Sequence, residues 1–290
     1  MAALFYTPLS YRSLIKVGGE DRQTFLQGLV SADIPRADGG KALYGAFLTP
    51  QGKFLHELFI AEHDDALWLE TDSARRADFA KKLSMYKLRA KVTVAVDDSL
   101  SAYALWGEGM AEALGLAADA GGFGGGLAFK DPRLADAGFR AWLPNEEALL
   151  TAGFAKADFA VWDEARIRKG LPDGSRDLEP EKFLLLENGF DELYGVDFKK
   201  GCYMGQELTA RTKYRALIKK RLLPVEITGP APEPGTPITL GEEEAGEMRS
   251  SCGSVGLAVI RLEQLNKGGV FKAGSAEFKP FVPEWVILPA

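Results

Sequence analysis

The sequence predicts an α+β protein, with two α+β subdomains followed by a small C-terminal β-barrel. Three observations carry that expectation. At 290 residues the chain is longer than one ordinary core supports. As far as Lys169, short alternating apolar runs are interleaved with segments of helical spacing. Beyond Arg221 the helical periodicity fades into short runs between glycines and prolines, the texture of a small barrel.

Taken in order, Ser13 to Val17 alternates as a strand, and Gly18-Gly19 ends it. Glu20 and Asp21 then favour the positive end of a helix dipole, and Phe25, Leu26, Leu29 and Val30 give that helix one buried face. Ala42 to Leu48 and Phe54 to Ala61 flank Thr49-Pro50-Gln51-Gly52-Lys53, a hairpin signal in which proline starts the turn and glycine accepts positive φ at its exit. In the second strand of that hairpin, His56 and Glu57 are read as hydrogen-bonded or sheet-edge residues. A strand at 66–70, a capped helix from about Ala74 to Leu83 and a strand at 91–96 complete the first unit.

The second unit begins at Ser101, with a helix near Met110 to Leu114 and strands near Leu127 to Phe129 and Phe139 to Leu143. The run Gly121-Gly122-Phe123-Gly124-Gly125-Gly126 lacks the Gly-Lys-Ser/Thr ending of a phosphate loop and is read as a flexible surface connection. A helix from Ala157 to Lys169 packs through Val161, Trp162 and Ala165 and is stopped by Gly170 and Pro172.

The most chemically loaded stretch is Lys199-Lys200-Gly201-Cys202-Tyr203-Met204-Gly205-Gln206-Glu207. Two ammonium groups just before Cys202, and a helix starting near Tyr203, would together favour its thiolate. A small side chain buried at a tight turn is the alternative. From Arg211 to Arg221 the chain carries six basic residues and no acidic one, which suits an anion such as a polycarboxylate tail, a phosphate or an RNA backbone, with a solvated basic face as the alternative. Tyr203 and Tyr214 are either stacking surfaces or packing anchors.

Bulk features narrow the function further. Cys202 and Cys252 are the only cysteines and His56 and His63 the only histidines, so neither a disulfide framework nor a zinc-finger ligand set is present. A four-cysteine cluster site cannot form within one chain. No run of about 18 apolar residues suggests a membrane span. The start of the chain has no secretory or transit leader, so a cytoplasmic location is expected. A net charge of −6 argues against direct nucleic-acid binding by the molecule as a whole.

Lys200-Gly201-Cys202-Tyr203-Met204-Gly205-Gln206-Glu207 resembles the signature of the YgfZ family of folate-binding iron–sulfur proteins, relatives in fold of the aminomethyltransferase of glycine cleavage. Phe25-Leu26-Gln27-Gly28-Leu29, Leu48 to Lys53, Tyr86-Lys87-Leu88-Arg89-Ala90, Arg166-Ile167 and Gly170-Leu171-Pro172 accompany it in the family's order. The resemblance implies an aminomethyltransferase-like region at 1–215, with subdomains at roughly 1–99 and 100–165 and with 166–215 returning to the first. It also implies a barrel at 216–290 and a ring-like arrangement around a central pocket for tetrahydrofolate. It implies partners among iron–sulfur client or assembly proteins, tRNA-modifying enzymes included, and makes Cys202 and Lys200 the functional pair. Tyr203, Gln206, Glu207, Arg211, Glu57 and Arg168 are the residues expected near the folate. Two positions depart from relatives: His56-Glu57 stands where aminomethyltransferases carry paired aspartates, and Arg168 where a pterin-binding glutamate is common. Folate-dependent one-carbon transfer through Glu57, and RNA binding by residues 211–221, are the rival functions.

Overall fold

The computed structural model describes residues 3–38, 40–215 and 218–289. Two compact units divide the chain, and neither is continuous in sequence. The first comprises Met1–Leu48, His56–Phe159 and Leu193–Met204; the second comprises Thr49–Leu55, Ala160–Glu192 and Gly205–Ala290.

The first unit holds two sheets. One orders its strands as Leu43–Leu48, Phe54–His63, Ala66–Asp72, Arg12–Gly18 and Thr93–Asp97. The other runs Phe154–Lys156, Leu4–Pro8, Ser101–Trp106, Phe139–Leu143, Gly126–Lys130 and Ala120–Phe123. Its one parallel pair joins Leu4–Pro8 to Phe154–Lys156, so the beginning of the chain is bound to a segment about 150 residues later. Periodicity over a few residues carries no information about such a partner, and the first strand was not foreseen.

The glycine run differs from its expected form. Instead of a flexible connection, Ala120–Phe123 and Gly126–Lys130 are paired antiparallel strands joined by Gly124 and Gly125 at φ of +58° and +79°. Two successive residues at positive φ make the tight turn that suits a twisted hairpin, and glycine takes that conformation without strain.

The helix Arg22–Gln27 buries Phe25 and Leu26 as expected but stops sooner, at Gly28, and Val30 forms an isolated antiparallel bridge to Phe47. The helix Arg76–Tyr86 buries Phe79 and Leu83. In the second unit the helix Phe159–Arg168 buries Trp162 and Ile167, whereas Val161 and Ala165, expected to pack, face solvent. Six strands from Lys220–Thr228 to Ala276–Pro280 close into a barrel filled by Val225, Ile238, Met248, Ile260, Phe271 and Phe278. The α+β class and the C-terminal barrel are as the sequence predicts.

Candidate functional site

Cys202 is exposed, which removes the buried-turn alternative. Its loop is fastened on both sides of the thiol. Before it, the Lys200 ammonium donates to the carbonyl of Gln27 at 2.8 Å and to that of Val30 at 2.5 Å. After it, the Met204 N–H donates to the Gly28 carbonyl at 3.0 Å. The Gln27 carbonyl, at the end of the helix Arg22–Gln27, lacks an intrahelical partner and carries the negative end of its dipole, so an ammonium there answers both needs. Gln27 adds a second tie: its amide donates to the Lys200 carbonyl at 3.1 Å and to Asp33 at 2.8 Å, and its own oxygen accepts from the Ile34 N–H at 2.8 Å. Upstream, the Ser31 hydroxyl donates to the Gly195 carbonyl at 2.6 Å and the Asp197 N–H to that of Ser31 at 2.9 Å. Two motifs read separately in the sequence, Phe25–Leu29 and Lys200–Glu207, thus meet.

Lys200 therefore fastens the loop to the carbonyls of Gln27 and Val30. Burial pulls its ammonium down from 10.5 to about 8, while Asp33 and Asp197 oppose the shift. Its Nζ lies 5.0 Å from the centroid of the Tyr203 ring, and Tyr203 is itself buried, a packing anchor. The helix expected from Tyr203 begins instead at Gln206, because Gly205 takes φ +80° and breaks the path before it. Cys202 consequently stands ahead of the first turn, beyond which the helix dipole fades.

The other expected positions are less uniform. Gln206 is half-buried, and Glu207 and Arg211 are exposed, one helical turn apart. Arg168 is exposed and donates to Glu164 at 2.8 and 3.0 Å, a solvated pair along the helix. Within the basic interval, Lys213 pairs with Asp191, and Lys220 lies 3.8 Å from Glu187. Arg221 is buried on Glu192 at 2.5 Å. Half of the six cations so face carboxylates; Ala216 and Leu217 lie outside the described residues. Tyr214 is 75% exposed.

Glu57 has a fixed place. Both of its oxygens already accept hydrogen bonds, one from Arg12 at 2.8 Å and the other from the Tyr44 hydroxyl at 2.7 Å. Arg12 also donates to Glu70 at 2.9 Å, Glu70 accepts from Arg140 at 2.5 Å and from Trp142 at 2.7 Å, and Arg140 reaches Asp131, which pairs with Arg133 at 2.7 Å. Three guanidiniums thus balance three carboxylates, all buried, around the Phe59 ring. Burial would raise the Asp131 carboxyl, but Arg133 and Arg140 hold it below its ordinary value. Burial raises the Tyr44 phenol, with Glu57 adding to the rise. His56, on the opposite face of the strand, is buried against Phe79 at 4.3 Å. The whole of this network is not visible in sequence, since the contacts that join its parts, Arg12 to Glu57 and Arg140 to Glu70, span 45 and 70 residues.

Tyr44, Asp131 and Arg133 also form the buried side of a cleft of about 380 Å³ in the first unit. Arg36, Lys41 and Tyr194 line its exposed side, with Asp33, Val196 and Asp197 leading toward Lys200. Its lining offers cations in Lys41 and in Arg36, which pairs with Asp197 at 3.2 Å, acceptors in its aspartates, and the ring faces of Tyr44 and Tyr194. The volume lies in the lower part of the range of small-molecule sites, about 300–1,000 Å³. Among the described residues no cluster of three or more His, Cys, Asp or Glu side chains is arranged to hold a metal, and no helix is long and apolar enough to cross a membrane.

Comparison with known proteins adds three findings. Residues 219–287 match the family model described as the C-terminal beta-barrel domain of CAF17. The mitochondrial iron–sulfur cluster assembly factor IBA57 of Homo sapiens is 33% identical, over 96% of this chain and 84% of that protein. Its counterpart in Mus musculus is 32% identical over the same shares, and the homolog in Phaeosphaeria nodorum 29% over 97% and 80%. The glycine cleavage system aminomethyltransferase T from Bartonella henselae superposes with a TM-score of 0.77, covering 98% of this chain and 86% of that one at 14% identity, a likeness of fold. The relatives' names carry a mitochondrial location, which overturns the cytoplasmic one expected from the start of the chain. Leader composition stands outside the folded region that similarity follows, so it was a poor guide.

Proposed function

Because this chain belongs to the family of IBA57 iron–sulfur cluster assembly factors, we propose that it supports the assembly or maintenance of clusters in client enzymes, tRNA-modifying enzymes among them, with Cys202 as its working thiol. The observation that carries this reading is the exposed Cys202 on a loop fastened through Lys200 and Met204. A thiolate is the usual ligand of iron in such clusters, and one thiol cannot hold a cluster alone. The remaining ligands come from a partner, so the chain acts as an accessory to cluster chemistry. Lys200 is the positioning residue of that thiol.

We further propose that the cleft beside Tyr44 takes tetrahydrofolate, with Arg36 and Lys41 meeting its carboxylates. Support comes from the cleft's donor set and from the aminomethyltransferase-like fold. Aminomethyl transfer is not favoured: Glu57, the carboxylate that would handle the proton, is buried and bound by Arg12 and Tyr44.

Two experiments test the two parts. In a strain lacking its own family member, expression of this chain is expected to restore the activity of [4Fe–4S] enzymes; no restoration by well-expressed protein would end the assembly reading. Calorimetric titration with tetrahydrofolate is expected to give saturable binding that Arg36→Ala with Lys41→Ala weakens. Identical heats from the double variant would remove folate from this cleft.

A further inference from the structure

The end of the helix Arg76–Tyr86 and the turn after it show an uncommon surface. Leu88 is 90% exposed and Met85 62% exposed, with Tyr86 beside them at 39%. Leu88 also takes φ +44°, a left-handed conformation that a bulky apolar side chain rarely adopts and that the rest of the turn holds in place. Strain of this kind persists where a position has a use, and here its effect is to hold a leucine out in water.

The stretch of chain that forms it carries charges of one sign. From Phe79 to Val96 the chain carries Lys81, Lys82, Lys87, Arg89 and Lys91 and no carboxylate, in a protein of net charge −6. Lys82 pairs with Asp78 and Lys91 with Glu20, while Lys81, Lys87 and Arg89 face no carboxylate among the described residues. Contacts lead from this surface to the thiol loop. The Tyr86 ring lies 6.2 Å from that of Phe47, Phe47 bridges to Val30, and the Val30 carbonyl accepts from Lys200.

We propose that Met85, Tyr86 and Leu88, framed by Lys81, Lys87 and Arg89, are a docking surface for an acidic protein, the partner that meets Cys202. An apolar centre with a charged rim is the anatomy of a protein interface, and the rim's charge calls for carboxylates opposite it. Nucleic acid fits less well, since the most exposed side chains, Met85 and Leu88, are aliphatic and offer bases no ring to stack on. A membrane surface fits less well too, because the helix buries its apolar face, Phe79 and Leu83, within the fold and has only the end of its last turn to insert. The partner's role in cluster handling rests on the function proposed above; the surface itself does not.

The test places a photo-crosslinking p-benzoylphenylalanine at Met85 in the full chain, in the cells of the assembly assay, with the same probe at exposed Val161 as control. A discrete adduct with an acidic protein is expected, and Cys202→Ala is expected to retain it. With that protein purified, Leu88→Asp, which suits the left-handed backbone and leaves the melting temperature unchanged, should weaken binding about thirtyfold or more, as loss of an interface anchor does. Adducts only with RNA or lipid, none above the Val161 control, or an affinity for Leu88→Asp within about threefold of the parent would overturn the proposal. The readouts separate the two ideas: a Cys202→Ala chain that fully serves client enzymes counts against the assembly reading and leaves the crosslink untouched.

Discussion

Replacing Lys200 by Met keeps most of the side chain's length and removes the charge that fastens the thiol loop. The carbonyls of Gln27 and Val30 then lose a charged donor, and the polar group they held is replaced by an apolar one. Hydrogen bonds to charged groups contribute about 1.5–3 kcal/mol each, and part of that is offset here because the ammonium no longer has to be taken out of water. Because burial already penalises the charge, a net loss of about 1–2 kcal/mol follows, which for a unit of this size lowers the melting temperature by roughly 2–8 °C. The pH dependence gives an independent signature. With the folded ammonium at about 8 and the unfolded one at 10.5, the folded state binds fewer protons between those values. The parent protein should therefore gain stability across that window as pH rises, and Lys200→Met should lack the gain. Hydrogen exchange across 199–204 locates the effect: those amides should exchange faster in the variant. A melting temperature within about 1 °C of the parent, together with unchanged exchange at 199–204, would refute the fastening role.

Three further outcomes are expected. A Cβ added at Gly52 would lie 2.7 Å from both the Gly205 carbonyl and Leu208 Cβ at a φ of +79°, so Gly52→Ala should lower the denaturant midpoint by the equivalent of about 1–3 kcal/mol. Burial pulls the His56 imidazole down to about 3, with Arg75 and Lys82 adding to the effect. Unfolded imidazoles titrate near 6.5, so stability present above that pH should fall by about 1.4 kcal/mol per unit as acid is added, and urea midpoints for His56→Leu should lose that slope. Removing one member of the buried ion network, as in Arg12→Met, should cost about 3–5 kcal/mol because Glu57 and Glu70 then lose a cation in a dry interior, and equilibrium unfolding measures this directly.

What the sequence made legible follows from the range of the interactions involved. Strands, the Thr49–Lys53 turn, the Gly170 helix stop and the barrel texture are local matters of periodicity and backbone freedom, and all stand in the structure. The importance of the Lys200–Glu207 stretch was legible as well, through its density of reactive groups and its companion motifs. The role of Lys200 was not. Spacing alone points its charge toward Cys202, two residues away, whereas its ammonium donates to the carbonyls of Gln27 and Val30, some 170 residues distant. Gly205 ended the hope of a helix at Tyr203 for a local reason, its left-handed backbone, which glycine permits without announcing. Glu57 was rightly read as a hydrogen-bonded sheet residue, but its partners Arg12 and Tyr44 belong to other strands and no pattern in the chain joins them.

In the proposed role the exposed thiol on the fastened loop is what serves iron–sulfur enzymes. The most direct test compares Cys202→Ala with Cys252→Ala in the strain lacking its own family member, reading [4Fe–4S] enzyme activity at equal protein levels. Cys252, half-buried, with its thiol donating a hydrogen bond to the Ala160 carbonyl at 3.4 Å, is the internal control. Cys252→Ala is expected to restore activity, and Cys202→Ala, though folded, is expected not to. Full restoration by Cys202→Ala would contradict the proposed role.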